Sequence, residues 1–338
     1  MNDSLATPEV SVIVPARNEE ICLAECLRTL AAQVGASYEV IVVDDDSTDR
    51  TRSIAESFPV RLIAAGSLPE GWSGKCNAAW SGAMVARGPW LLFTDADTKH
   101  APNSVASGLQ EARESSADLL SYSPKQEVGS LAERALMPVI FAELALTYPP
   151  KQVSDPNSPV AAANGQYLLI RREVYDAIGG HAAVATAILE DVELAKRTKQ
   201  AGYALRFRMS DLVTTRMYRS FGEMWEGWTK NLALLFPNVR GLAVKRAIEF
   251  LVIVAAAAFA IVSALQNEKL ASLIAAAVTL QWLYLFWKRI DLAHFDRLST
   301  ALSLLGLPLF AVLLWNSGIS HKRGLVRWKG REYAVPGS

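Results

Sequence analysis

The acidic residues that could do chemistry follow directly on apolar runs. Glu9–Val14 leads into Pro15-Ala16-Arg17-Asn18-Glu19, Glu39–Val43 into Asp44-Asp45-Asp46, and Trp90–Thr94 into Asp95-Ala96-Asp97. Carboxylates gathered at one edge repel each other and raise each other's pKa values. A divalent cation removes that penalty, and hard oxygen ligands suit Mg²⁺ or Mn²⁺. Any one cluster can be read as solvated turn or N-cap aspartates. Three clusters behind three strand-like runs favour a ligand-binding edge. A further pair, Glu190-Asp191, opens a helical pattern running to Ala201, where a helix N-cap is the plain reading of Asp191.

The elements that must position these groups alternate along the first part of the chain. Glu9–Val14, Glu39–Val43, Val60–Ala64, Trp90–Thr94 and Leu119–Tyr122 read as strands. Helical spacing falls at Glu19–Ala32, Thr48–Ser57, Cys76–Ala86 and Asn103–Glu114. This predicts an α/β fold with a mainly parallel sheet flanked by helices. Ligands of such sheets bind at the carboxyl ends of the strands, where the acidic clusters lie.

Beyond residue 245 the texture changes. Uncharged stretches cover Phe250–Asn267, Leu270–Trp287 and Leu298–Ser320. Each approaches the roughly 17–25 residues that a helix needs to cross a bilayer. Tryptophan and tyrosine near their ends favour membrane over a buried helical core. Lys+Arg and Asp+Glu number 34 each, so net charge gives no case for a nucleic-acid partner. Cys22, Cys26 and Cys76 form no CxxC pair and read as core residues of a reduced compartment. Met1–Pro8 lacks the basic-then-apolar pattern of a secretory signal, so the first domain is expected to stay in the cytosol.

SVIVPARNE, VVDDDSTDRT, GKCNAAWSGA, FTDADT, ANGQYLLIRREVYDAIGG and LEDVELAKR occur in the order seen in family-2 glycosyltransferases, so residues 8–235 resemble that family. The resemblance implies the GT-A nucleotide-diphospho-sugar fold, which the three uncharged stretches would follow as C-terminal transmembrane helices. It implies that Pro15, Arg17 and Glu19 line the nucleotide site and that Asp44 or Asp45 reads the base. Lys75 would face the donor. Asp95 and Asp97 would be the DxD pair, with Asp97 the direct ligand of a Mg²⁺ or Mn²⁺ ion. Asp191 would be the catalytic base of an inverting hexosyltransferase. Asn164, Gly165, His181, Glu190, Trp228 and Lys230 would fall on the acceptor or diphosphate side. For His181 a structural role is the alternative, and for Trp228 and Lys230 an amphipathic membrane-surface helix.

The QxxRW motif of processive members is absent from Arg219–Asn231 (RSFGEMWEGWTKN), which argues for a single transfer. That stretch resembles lipid-glycosylating branches, including carotenoid- and hopanoid-associated enzymes. The ending Arg327-Trp328-Lys329-Gly330-Arg331 resembles the tails of ceramide- and hopanoid-type transferases. The expected organisation is a cytosolic catalytic domain over residues 1–235, including helices near 131–148 and 219–235. A membrane region follows over 246–320, with segments near 248–267, 270–287 and 298–316, and a basic tail over 321–338. The helix at Leu131–Tyr148 reads either as interfacial or as ordinary core.

Lys245, Arg246, Lys288 and Arg289 fit the positive-inside rule for a two-span hairpin. Lys322, Arg323, Arg327, Lys329 and Arg331 would violate it if the third segment crossed. Gly306 and Pro308 therefore predict a broken, re-entrant third segment and a cytosolic tail. The function expected is transfer of one sugar from a UDP-sugar to a hydroxyl of a membrane lipid, by a multi-pass protein of the cell (inner) membrane. Transfer to a polyprenyl phosphate and a non-catalytic membrane scaffold are the alternatives.

Overall fold

A computed structural model describes residues 7–328 and 331–334. Met1–Ala6, Lys329, Gly330 and residues 335–338, on which part of the basic-tail expectation rests, lie outside the described residues. The chain divides into two compact units. One holds the chain up to Glu127 together with Tyr148–Met217. The other holds Val128–Thr147 and the chain from Tyr218 onward.

In the first unit the order is β1 (Val10–Ala16), α1 (Leu23–Ala31), β2 (Tyr38–Asp44), α2 (Thr51–Glu56), β3 (Arg61–Ala64) and α3 (Gly74–Val85). Then come β4 (Trp90–Phe93), β5 (Thr98–His100), α4 (Ser104–Glu114) and β6 (Leu119–Gln126). After α5 (Leu131–Thr147), which belongs to the second unit, follow α6 (Pro150–Ser154), β7 (Leu168–Arg171), α7 (Arg172–Ala177), α8 (Glu190–Gln200) and β8 (Leu205–Thr215). The strands form one eight-stranded sheet in the order β3-β2-β1-β4-β7-β6-β8-β5.

Strand residues alternate faces, and both faces of this sheet are covered, which is why β1 and β2 read as continuous apolar runs. Val10, Val12 and Val14 pack with Leu23, Cys26 and Leu27 of α1 and with Val105 and Leu109 of α4. Ile13, Ile41 and Val43 face the other way, toward Ala78, Ala79 and Ala83 of α3 and Leu194 of α8. Cys22, Cys26 and Cys76 are free thiols, the last two buried.

The parallel half, β3-β2-β1-β4, matches the expected alternation. The other half is mixed: β7 lies antiparallel between β4 and β6, and β5 pairs antiparallel with β8. The expected helix from Glu19 starts only at Leu23. The backbone N–H groups of Asn18, Glu19 and Glu20 donate instead to Ser47 Oγ (3.1 Å), Thr51 Oγ1 (2.7 Å) and Asp49 Oδ2 (3.1 Å). Side-chain acceptors in the loop after β2 thus hold this segment as a loop beside it.

The second unit contains α5, α9 (Phe221–Leu235), α10 (Val239–Leu265), α11 (Lys269–Ile290) and α12 (Arg297–Lys322), then a two-stranded sheet of β9 (Leu325–Trp328) and β10 (Arg331–Ala334). Three helices, Val239–Leu265, Lys269–Ala293 and Arg297–Lys322, are long and apolar enough to cross a membrane. Residues 131–147 and 219–235 group with these helices and not with the sheet. Within α5, every residue from Ala135 to Glu143 is buried.

The expected break at Gly306 and Pro308 is not observed, because α12 runs unbroken through both. Pro308 removes one ladder hydrogen bond, which a packed apolar helix tolerates. Gly306 faces α5, where the Ala135 carbonyl occupies the space that a Cβ would need. The glycine serves close packing, not a turn.

Arg246 and Arg289 do not present their charges to the surface. Arg246 Nε lies 2.9 Å and Arg289 Nε 3.1 Å from Glu143 Oε1, and Glu249 accepts both guanidinia at 2.6 and 3.0 Å. This buried quartet ties α5, α10 and α11. Removing one partner leaves uncompensated buried charge. Glu143→Ala is therefore expected to cost about 3–5 kcal/mol, read as a lower denaturation midpoint of the detergent-solubilised protein.

Candidate active site

The pocket lies in the first unit, at the carboxyl ends of β1 and β4. Its lining includes Pro15 of β1, Lys75 of α3, Asp95, Gly165, His181, and Glu190 and Asp191 of α8, with Phe93 and Thr94 between them. Seven residues expected at the site therefore line one pocket.

Each side chain is placed by a local device. Ser73 caps α3 by accepting the Cys76 N–H at 3.1 Å, which sets Lys75 in the helix's first turn. Asp191 is not the N-cap of α8, which is Leu189; it is the second helical residue. Its Oδ2 accepts the Gly165 N–H and its Oδ1 the Val192 N–H, both at 2.8 Å. Gly165 is a close-approach glycine. A Cβ there would stand 3.1 Å from Lys75 Nζ and 3.5 Å from oxygens of Asp191 and Glu190.

Lys75 Nζ sits 2.8 Å from Asp95 Oδ1 and 2.8 Å from Glu190 Oε1. One ammonium thus bridges the acidic turn after β4 and the start of α8. Burial, then the Glu190 carboxylate, pushes Asp191 up to about 6, against the opposing pull of Lys75. Burial pushes Glu190 upward too, but the charge and hydrogen bond of Lys75 hold it below its ordinary value. Burial opposes the charge on Lys75, yet Asp95, Glu190 and Asp191 together hold its pKa well above the usual range. The site therefore separates two adjacent carboxyls into a committed anion and a group able to exchange a proton near neutrality.

The remaining expected residues divide. Asp44 and Asp45 are both buried at the end of β2; Asp44 Oδ1 accepts the Ser47 N–H at 3.2 Å, and Arg17 Nη1 donates to the Asp45 carbonyl at 2.9 Å. Glu19 lies beside them in the loop held by Thr51. Asn164 makes a local turn, its Oδ1 accepting the Gln166 N–H at 2.9 Å. His181 is buried, bonds Tyr175 through Nδ1 at 2.9 Å and packs edge-on against Phe93. Burial pushes its pKa down to about 4, so it is neutral at pH 7.

Trp228 belongs to the second unit, 2% exposed, with its indole N–H donating to Met137 Sδ at 3.4 Å and its ring against Phe141 and Tyr218. It packs in the core of that unit, whereas the sequence placed it on the acceptor or diphosphate side. Lys230 lies on the same helix, and its carbonyl is within 2.8 Å of His321 Nε2.

Gly165→Ala is expected to leave the fold intact, because the flexible end of Lys75 can yield, and to lower kcat about 10-fold or more. Circular dichroism beside transfer rates checks this.

The model of glycosyl transferase family 2 matches residues 11–179, half of the 338-residue chain. The chain belongs to this family. This transferase is 31% identical over 241 residues to a 4,4'-diaponeurosporenoate glycosyltransferase of Staphylococcus haemolyticus, covering 68% of this chain. The match spans 62% of that relative's length. The enzyme of the same name from Staphylococcus aureus strain MRSA252 is 25% identical over 340 residues, covering 96% of this chain and 88% of the relative. Among solved structures, the mannosyltransferase PcManGT from Pyrobaculum calidifontis, in complex with GDP-Man and Mn²⁺, superposes with a TM-score of 0.54 at 19% identity. It covers 94% of this chain and 88% of that one, and bears out the GT-A-type fold.

Proposed function

We propose that this transferase moves a single sugar from a nucleotide-sugar donor, taken as a UDP-sugar, to a membrane lipid of the carotenoid kind, with inversion at the anomeric carbon. The observation that carries the reading is Asp191, raised to about 6 and held by the Gly165 N–H in the pocket that also contains Lys75 and Asp95. The names of the staphylococcal relatives support the carotenoid class.

Asp191 Oδ2 removes a proton from the acceptor oxygen as that oxygen attacks the anomeric carbon from the face opposite the diphosphate. Direct displacement with one carboxylate base inverts that carbon. Lys75 stands where negative charge builds on the leaving diphosphate and offsets it. Arg17, Glu19 and the Asp44–Asp45 pair frame the nucleoside, with Pro15 at the pocket wall.

Asp95 and Asp97 fit a Mg²⁺ or Mn²⁺ ion. They offer hard carboxylate oxygens on one turn and would hold the ion there; among the described residues no group of three or more His, Cys, Asp or Glu comes together. When bound, the cation neutralises charge on the leaving diphosphate.

The three long apolar helices support a multi-pass protein of the cell membrane. Lys245 and Lys288, both exposed near the charged ends of α10 and α11, support a cytoplasmic catalytic unit.

The test is transfer by detergent-purified protein with a panel of nucleotide sugars, Mg²⁺ or Mn²⁺, and extracted host lipids. A labelled lipid product that vanishes with EDTA is expected. Donor binding with labelling of soluble acceptors alone would sink the lipid assignment. A second reading concerns the acceptor atom. The relatives are named for an "-oate", a carboxylate acceptor; such an oxygen is already ionised and needs no base.

A further inference from the structure

Thr94, which lines the pocket, joins Thr98 and His100 in a buried polar group that the reaction as described does not use: Thr94 is 1% exposed, Thr98 0% and His100 4%. The Thr98 hydroxyl donates to the Asp95 carbonyl at 2.7 Å and so fixes the acidic turn. The Thr94 hydroxyl donates to the Gln166 carbonyl at 2.8 Å and so fixes the loop in which the neighbouring Gly165 N–H holds Asp191. The two hydroxyl oxygens are 2.9 Å apart, and His100 Nε2 lies 3.1 Å from one and 3.2 Å from the other.

Each hydroxyl has one proton, and both are directed at carbonyls. The His100 imidazole bridges the two hydroxyl oxygens through Nε2. Burial pushes the pKa of His100 down to about 3, so the ring is neutral. Its Nδ1 lies 3.1 Å from Ser104 Oγ, whose hydroxyl reaches Gln33 Oε1 at 3.0 Å, and Gln33 Oε1 also receives the Val105 N–H at 3.0 Å. The His100 backbone N–H donates to Thr29 Oγ1 at 3.1 Å, anchoring the strand to α1.

We propose that Thr94, Thr98 and His100 are positioning residues that key the Asp95–Asp97 turn to the loop holding Asp191, so that the donor's diphosphate and the base are aligned through one shared imidazole. This rests on the reading of Asp95 and Asp97 as the diphosphate side and of Asp191 as the base. The three groups touch no reacting atom; they act through the two loops. Misplacing a catalytic group by about 1 Å is enough to cost about 10²-fold in rate.

The test is a double-mutant cycle, with kcat and donor Kd measured on purified protein and folding followed by thermal denaturation. Thr94→Val is expected to lower kcat about 10- to 100-fold, with donor Kd changed far less, and Thr94→Ser to restore most of it. In an Asp191→Asn background the Thr94→Val loss should disappear, since there is no base left to misplace. Wild-type kcat in Thr94→Val, or an equal loss in both backgrounds, would overturn the proposal. Should Thr94→Val not accumulate, His100 gives the same comparison. His100→Leu should lose kcat, while His100→Gln, whose amide can bridge the same hydroxyls, should keep it. Equal losses in the two would also overturn the proposal. Full activity in Asp191→Asn alone marks a different failure: the reading of the base itself falls, and the proposal with it.

Discussion

Asp191→Asn is expected to lower kcat by about 10²-fold or more while leaving donor binding near its wild-type value. Asparagine keeps an oxygen for the Gly165 N–H, so the loop stays in place and only the proton acceptor is lost. The wild-type pH profile should carry the mark of the same group. Burial and Glu190 raise Asp191 to about 6, and a base works only when deprotonated. Activity as kcat/KM is therefore full above that value and falls as pH drops through it. The acid limb should be absent from the Asn variant. Were the acceptor a carboxylate or a phosphate, the variant would keep its rate within a few-fold, and the hydroxyl assignment would fail while the family assignment stood. One variant thus separates the acceptor chemistries.

The chemistry was legible in the sequence because it is local. Each acidic cluster follows a strand within a few residues, and in an open α/β sheet the strand ends share one edge. That is why Pro15, Lys75, Asp95 and Asp191, separated by up to the length of the first unit, could be grouped before any coordinates. Pairing direction is not local. Tyr167-Leu168-Leu169-Ile170 carries no period-2 alternation, since β7 is buried on both faces, and nothing in it tells that β7 enters between β4 and β6 antiparallel. The burial of Trp228 is non-local for a related reason: its partners, Met137 and Phe141, come from a helix nearly a hundred residues earlier. Arg246 and Arg289 look like surface charges until Glu143 and Glu249 are seen between them. Thr94, Thr98 and His100 sit within the FTDADTKH stretch, yet only the fold shows that their hydroxyls and imidazole converge on one point.

Lys75→Met carries the second large expectation, and its sign follows from the charges it serves. Lys75 touches Asp95 and Glu190 at 2.8 Å each, and its charge also pulls Asp191 downward. Methionine keeps much of the stem and removes the ammonium, so three carboxyls lose their shared counter-charge. Asp191 then rises further above its value of about 6, which moves the acid limb of the pH profile to higher pH. The charge opposite the leaving diphosphate is lost at the same time, and kcat should fall by about 10²–10³-fold at neutral pH, as when a preorganised electrostatic donor is deleted. The Lys75 side chain is 41% exposed, so solvent screens its pairs and little change in thermal stability is expected. Raising the pH should recover part of the loss, the part owed to protonated Asp191, and leave the rest, which belongs to the diphosphate. A limb that stays where it was, with a rate within a few-fold of wild type, would mean that Lys75 neither tunes the base nor meets the donor. Its two ion pairs would then serve only to hold α3 against the turn after β4 and the start of α8.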